Sequence, residues 1–127
     1  MRKLIVFLIM LLAITLVACG GSEATPGTGG DVQAGQQVFD EIASPPCSSC
    51  HSIEAGVTLV GPSLAHIATE AATQVPGESA EEYLRQSIED PNAYIVPGFS
   101  GIMPTTYGSQ LSSKQINDLV AYMMTLK

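Results

Sequence analysis

The stretch Cys47-Ser48-Ser49-Cys50-His51 decides how the rest of this 127-residue sequence is interpreted. It has the form C-x-x-C-H, which is typical of covalent c-type haem attachment. Two thiols separated by two residues can both reach the vinyl groups on one edge of a porphyrin, and the histidine that follows can bind iron from beneath the ring. The motif therefore predicts one covalent haem c, with its iron, held by Cys47, Cys50 and His51.

The N-terminus has the pattern of an exported lipoprotein. Two basic residues precede an apolar run at 4–17, which is too short to span a bilayer and is typical of a signal peptide. The run leads into Leu16-Val17-Ala18-Cys19, which resembles a bacterial lipobox whose cysteine becomes lipidated. We therefore predict a signal peptide at 1–18 and a lipid on Cys19. The alternative is a short anchor helix that is never removed.

The rest of the chain is predicted to form a linker and one folded domain. Gly, Ser, Thr and Pro dominate the residues after Cys19, which favours a flexible linker within 19–30 and a domain at 31–127. With Cys19 on lipid and the two motif cysteines on haem, no cysteine is left over. The predicted location is a bacterial cell envelope, exported and anchored by the lipid at the periplasmic or outer face.

Three other chemistries use the residue types of the central motif. A C-x-x-C redox pair belongs beside a βαβ pattern, and no strand pattern flanks this one. A zinc site needs four ligands, and only His66 could join these three. A disulfide between Cys47 and Cys50 would leave His51 without a role. Because the context is that of an exported protein, haem attachment is favoured over all three.

The charge of the chain excludes some partners. Cleavage before Cys19 would leave three Lys and Arg residues against twelve Asp and Glu residues, a formal net charge of −9. So acidic a domain is not expected to bind nucleic acid or anionic lipid headgroups. It could be steered towards a partner with a basic face, although an acidic soluble surface needs no partner at all.

Helical patterns cover most of the predicted domain. Asp31 can cap a helix running from about residue 32 to 43, which Pro45-Pro46 would end. Its predicted inner face consists of Val32, Gly35, Val38, Phe39 and Ile42. A short helical stretch is predicted through Leu64, Ile67 and Ala68.

Two capping boxes predict two further helices. Ser79 with Glu82 opens a helix that stops at Pro91 and carries Tyr83, Leu84 and Ile88. Ser112 with Gln115 opens the last helix, with a hydrophobic staple between Leu111 and Ile116 and an inner face of Ile116, Leu119, Val120, Tyr122 and Met123. Residues 91–111 show no regular pattern, which is acceptable in a small domain if they pack against a haem. The expected fold class is all-α, with about four to five short helices wrapped around one covalent haem.

Met103, in the irregular segment, is the predicted sixth ligand. A thioether is a soft, neutral ligand, and together with histidine it raises the reduction potential of a haem iron. His66 is the main rival, but it lies on a stretch expected to lead away from His51. Met123 and Met124 lie on the last helix, where methionine more often packs in the core. Met103 itself could be core filler, but its loop placement favours His51/Met103 ligation.

The chain at this point resembles class I cytochromes c over residues 31–127. The resemblance rests on Gly35 and Phe39, the C-x-x-C-H motif, Gly61-Pro62, Met103, and Leu119 with Tyr122. It implies that Gly35 lets the first and last helices cross closely. It also implies that the Pro62 carbonyl accepts a hydrogen bond from the Nδ1–H of His51, which would place Pro62 in the haem site as a partner of the iron ligand.

Two narrower resemblances point to respiration. Residues 83–107 look like the cytochrome c domain of haem–copper oxidase subunit II, through Asn92, Tyr94, Pro97, Gly98 and Met103-Pro104. The lipid-anchored single-haem arrangement is similar to small cytochrome subunits of quinol-oxidising complexes. The chain departs from the family in lacking Trp and a ring of lysines. Arg85 and Tyr94 are candidate contacts for the haem propionates in place of the missing Trp.

The resemblance implies an electron carrier rather than an enzyme. The expected protein is a membrane-tethered monohaem cytochrome of a respiratory or photosynthetic chain, either a shuttle or a subunit of a larger complex. Its partners would be redox proteins and, through the lipid, a membrane, with no nucleic acid. The alternatives are a haem enzyme or gas sensor with a labile distal ligand, and a haem-stabilised tether without a redox role.

Overall fold

The computed structural model describes residues 29–127, so the predicted signal peptide, Cys19 and most of the linker lie outside it. Residues 29–127 contain helices and turns but no strand, which confirms the predicted all-α fold class. Within that range no helix is long and apolar enough to cross a bilayer. The elements are α1 (Val32–Gln37), a π turn (Val38–Ile42), a 3₁₀ turn (Cys47–Ser49), α2 (Ile67–Gln74), α3 (Ala80–Glu89), α4 (Tyr107–Gln110) and α5 (Ser113–Met123).

The first and last helices cross closely at Gly35. A Cβ placed on Gly35 would lie 2.8 Å from the Cβ of Tyr122 and closer still to the backbone carbonyl of Asp118. One turn further on, the rings of Phe39 and Tyr122 pack with their centroids 5.6 Å apart. The two helices therefore cross closely, as the resemblance implies. Only glycine at position 35 leaves room for this approach.

A buried carboxylate joins the start of α1 to α5. Asp31 caps α1 as predicted, accepting hydrogen bonds from the backbone N–H groups of Gln33 and Ala34. Its own N–H donates to Asp118 Oδ1 at 2.9 Å, and Lys114 Nζ donates to Asp118 Oδ2 at 2.7 Å. Asp118 is only 3% exposed, so these charge-assisted bonds are what make its burial tolerable.

The first predicted helix is wrong in its second half. The α-helical part ends at Gln37, and the N–H of Ala43 donates to the carbonyl of Val38, five residues back, at 3.1 Å. This wider π turn inserts one extra residue. Ala43 therefore takes the inward position, at 1% exposure, whereas Ile42, which was expected on the inner face, is 46% exposed.

Both predicted capping boxes are confirmed. The hydroxyls of Ser79 and Ser112 accept hydrogen bonds from the backbone N–H of the third residue of α3 and α5, and the side chains of Glu82 and Gln115 bond back to the caps. The predicted inner faces of both helices are buried: Tyr83, Leu84, Ile88, Ile116, Leu119, Val120, Tyr122 and Met123. These two helices form much of the wall on which the candidate site is built.

Two shorter helices differ from their sequence patterns. Leu64 is buried in the loop before α2, and the helix itself begins at Ile67. The segment predicted to be irregular contains the single turn α4, whose Tyr107 is 4% exposed. A one-turn helix has too short an apolar period to stand out in the sequence.

Candidate haem site

One largely apolar cleft brings the predicted ligands together. Cys47, Cys50 and His51 line it from the motif, and Met103 lines it from the loop before α4. Its apolar walls come from the π turn, α2, α3 and α5 and the loops between them, including Phe39, Leu64, Tyr83, Leu84, Ile88 and Leu119. Four side chains that are separated by up to about half the domain in sequence therefore face the same space.

His51 is oriented for binding a metal through Nε2. Its Nδ1 lies 2.9 Å from the carbonyl oxygen of Pro62. A carbonyl can only accept, so Nδ1 carries the proton and Nε2 keeps its lone pair. Burial lowers the pKa of His51, with the hydrogen bond to Pro62 opposing that effect. The side chain is thus held as the neutral tautomer that a haem iron requires, through the contact that the resemblance implies.

Gly61 lies in close contact with the His51 ring. A Cβ at this position would come within 2.5 Å of His51 Cε1 and 3.0 Å of Nε2. Only glycine allows this approach without displacing the imidazole. In the sequence Gly61 stood out only as part of a Gly-Pro match, because its contact with the ring is tertiary.

Two backbone hydrogen bonds join the beginning and the end of the segment from Cys50 to Leu64. The N–H of Gly61 donates to the carbonyl of Cys50 at 2.9 Å, and the N–H of Leu64 donates to that of Ser52 at 2.8 Å. These bonds close the loop at the point where the His51–Pro62 contact forms. Hydrogen bonds within this segment therefore fix the shape of the proximal side of the cleft.

Met103 and its rivals occupy different places. Met103 is half-buried, packs against the core and lines the cleft. His66 is exposed at the start of α2 and is not among the residues lining the cleft. Met123 also lines the cleft, but it sits in the α5 core at 6% exposure, whereas Met124 does not line it. The placement favours Met103 over His66 and leaves Met123 as the second sulfur facing the cleft.

The folded domain matches a known family. The family model described as cytochrome c matches residues 32–127, which include every helix of the described chain. The chain belongs to the cytochrome c family. Members of this family bind covalent haem c with its iron, which confirms the cofactor prediction. The donor set fits that group, since two thiols, a neutral imidazole and a thioether line one apolar cleft.

The two motif cysteines of this cytochrome do not resemble a dithiol redox pair. Both are free and half-buried. Burial raises the pKa of Cys47 to about 11, so its thiol is protonated at neutral pH. Reactive C-x-x-C pairs depend instead on a lowered thiol pKa. The raised pKa of Cys47 therefore does not favour thiol exchange.

Tyr107 ties the distal loop to the motif. Its hydroxyl donates to the carbonyl of Pro45 at 2.8 Å, and Gln110 Nε2 donates to the carbonyl of Ser44 at 3.0 Å. Burial, with a smaller effect of the nearby Cys47, raises the pKa of Tyr107 to about 12, so the hydroxyl remains a donor. Sequence reasoning missed this link because its two ends lie 62 residues apart.

The two candidate propionate contacts separate in the structure. Arg85 donates to Asn117 Oδ1 and pairs with Glu89 at 3.7 Å. It is not among the residues that line the cleft, so its placement does not support that role. Tyr94 does line the cleft, with its ring edge-on to Tyr83 at 5.9 Å between centroids.

Proposed function

We propose that this cytochrome c carries single electrons, with His51 and Met103 as axial ligands and a lipid on Cys19 as its membrane tether. The observation that carries the ligation is that His51, with its tautomer set by Pro62, and Met103 line one apolar cleft. When bound, the haem supplies a one-electron couple between Fe(III) and Fe(II).

Each side chain of the site has a distinct role. Cys47 and Cys50 would hold the haem through thioether bonds, each formed by adding one S–H across one vinyl group, which needs no oxidant or reductant. His51 would hold the iron through its Nε2 lone pair, and the Pro62 carbonyl orients the imidazole. Met103 would supply a neutral thioether, which raises the reduction potential. With both residues bound to it, the iron would offer no coordination site to a substrate.

Three single variants test the ligation. Oxidised haem with methionine on iron has a weak charge-transfer band in the red. We expect Met103→Ala to abolish this band and to lower the reduction potential by about 0.1 V or more, because axial ligands dominate that potential. Met123→Leu and His66→Ala are the matched controls and should keep both. Loss of the band in Met123→Leu with its retention in Met103→Ala would overturn the assignment.

The membrane tether is supported by the sequence pattern at residues 1–19, which lies outside the described structure. Two or more acyl chains on Cys19 would hold the domain firmly at a membrane of the bacterial envelope. We expect the wild-type protein to fractionate with membranes and Cys19→Ala to be released in soluble form. A Cys19→Ala variant that stays on the membrane would contradict the lipid and favour an uncleaved anchor helix.

The resemblances noted above support a place in a respiratory or photosynthetic chain. The cytochrome would act there as a diffusing shuttle or as a fixed subunit. Blue-native gels of native membranes distinguish the two. Migration of the haem signal with a large assembly would identify a subunit, and migration as a small species would identify a shuttle.

A haem enzyme or gas sensor is the second candidate. It needs a distal ligand that leaves the iron readily. The observation in its favour is that, within the described chain, the hydrogen bonds of residues 91–105 are all local. Binding of carbon monoxide to the reduced protein separates the two candidates.

A further inference from the structure

Charge is nearly absent from the two segments that build the mouth of the cleft. Residues 91–113, which include Met103, contain no Asp, Glu, Lys or Arg. Residues 42–69, which include the haem motif, contain a single such residue, Glu54. The remaining carboxylates of the described chain lie elsewhere: Asp31, Asp40, Glu41, Glu70, Glu78, Glu81, Glu82, Glu89, Asp90 and Asp118. Of these, only Glu70 lines the cleft.

The same two segments expose large apolar side chains. Six of them define what we call the cleft rim, with exposures between 37% and 65%: Ile53, Val57, Leu59, Val60, Ile95 and Ile102. Val60, Ile95 and Ile102 line the cleft and so face whatever fills it. The other three do not line it, so a bound haem does not account for their exposure.

We infer that the electron-transfer partner docks on the cleft rim with an apolar, uncharged face around its own redox centre. This inference rests on the proposed function and names the kind of partner. Clustered apolar exposure beside a functional cleft is typical of an interaction surface. An apolar partner face buries the rim without removing any charge from water.

The charge distribution argues against a lysine-rich partner face. Lysines placed over the rim would lose hydration, and the two segments that carry the rim offer only Glu54 to pair with them. Most other acidic groups lie outside these two segments, including Asp40 and Glu41 in the π turn and Glu81, Glu82 and Glu89 on α3. Association through the rim should therefore depend little on salt, at the rates of about 10⁵–10⁶ M⁻¹s⁻¹ that are usual without electrostatic steering.

Stopped-flow electron transfer with the reduced holoprotein tests this inference. The probes are a small copper electron-transfer protein with an apolar face over its metal, and a variant of it with lysines substituted around that face. We expect the apolar probe to react faster at physiological salt, and its rate to change less than about twofold between low and physiological salt. A faster reaction with the lysine probe that falls steeply with salt would overturn the inference.

A pair of charge insertions locates the contact. Leu59, on the rim, is 50% exposed, and Gln36 is exposed on α1. Leu59→Lys and Gln36→Lys add the same charge, and neither residue lines the cleft. We expect Leu59→Lys to slow the apolar probe about tenfold, the size of a central interface residue, and Gln36→Lys to change it less than twofold. Equal effects of the two variants would overturn the inference.

Two further measurements distinguish a wrong docking surface from a wrong ligation and from a lipid as the occupant of the rim. The red methionine band and the reduction potential must be the same in wild type and both variants, and a wild type without the band would defeat the proposed ligation rather than the docking surface. Neutral phosphatidylcholine vesicles, mixed with protein that carries Cys19→Ala so that no acyl chain contributes, test a lipid surface as the occupant of the rim. Vesicle binding that Leu59→Lys abolishes, with unchanged electron transfer, would overturn the protein partner.

Discussion

The segment that carries His51 and the segment that carries Met103 are held in place by different means. Residues 50–64 are closed by hydrogen bonds across the loop, from Gly61 to Cys50, from Leu64 to Ser52 and from His51 to Pro62. Within the described chain, the hydrogen bonds of residues 91–105 span at most three residues. The proximal ligand is therefore positioned by hydrogen bonds within its own segment, whereas the distal ligand depends on packing and on the Tyr107 hydrogen bond just beyond its segment.

This difference assigns different roles to the cofactor on the two sides. On the proximal side the imidazole is already oriented, so little ordering remains when iron binds. On the distal side Met103 is half-buried beside Ile102, which is 65% exposed, and we expect the loop to pack against the group that fills the cleft. We expect the distal side to open first when the protein is destabilised, because segments with few long-range bonds open at low free energy.

The largest predicted effect comes from breaking the proximal side. Gly61→Ala would place a Cβ 2.5 Å from His51 Cε1, so either the ring or the backbone must move. We expect a loss of about 2–3 kcal/mol in the free energy of unfolding of the holoprotein, the upper part of the range for overpacking a tight site, together with a reduced yield of haem-loaded protein. Chemical denaturation followed by haem absorbance measures this loss.

Gly56→Ala is the control for Gly61→Ala. Gly56 lies in the same segment with nothing within 4 Å of a Cβ, and its φ is +75°. Alanine there adds only backbone strain of about 1 kcal/mol. If the two variants lose equal stability, contact with the His51 ring is not what makes glycine necessary at position 61.

A smaller effect is predicted for loosening the distal side. Tyr107→Phe removes the hydrogen bond to the Pro45 carbonyl, for an expected loss of about 1–2 kcal/mol in the free energy of unfolding. Amide hydrogen exchange should accelerate in residues 91–106 and remain unchanged in residues 50–64. Tyr122→Phe is the control, since its hydroxyl donates no hydrogen bond in the described part of the chain. Uniform acceleration over both segments would contradict the comparison.

The features that the sequence predicted correctly depend on residues that lie close together along the chain. Each capping box lies within four residues, and the C-x-x-C-H motif within five, so their geometry is local. The contact between His51 and Pro62 came from the resemblance and not from any pattern in the residues. These parts account for the starts of α3 and α5 and for the proximal half of the site.

The features that were missed depend on distant partners. Asp118 is the one charged residue of α5 that is buried, and one of its two partners is a backbone N–H 87 residues away. The π turn places Ala43 in the core instead of Ile42, because packing of the domain favours the wider turn over a continued α-helix. Tyr107 and Pro45 likewise meet only once the chain has folded.

The smallest predicted effect concerns α3, which carries neither ligand. Hydrogen bonds from the backbone N–H and hydroxyl of Ser79 lower the pKa of Glu82. Its ionised form therefore stabilises the fold above the pKa of the unfolded chain, and this contribution is lost as pH falls through the lower pKa of the folded state.

Glu82→Gln, which copies the neutral box of α5, should reduce the free energy of unfolding slightly at neutral pH. The difference from wild type should disappear on acidification from about pH 5 to pH 3. A difference that persists at low pH would show that charge is not its cause.

Carbon monoxide binding by the reduced holoprotein at neutral pH tests the His51/Met103 assignment most directly. The predicted result is an unchanged visible spectrum for the wild type and a carbon monoxide adduct for Met103→Ala, because only the variant offers an open iron site. Stoichiometric binding of carbon monoxide by the wild type would contradict the account and identify a haem whose distal position is free for a ligand.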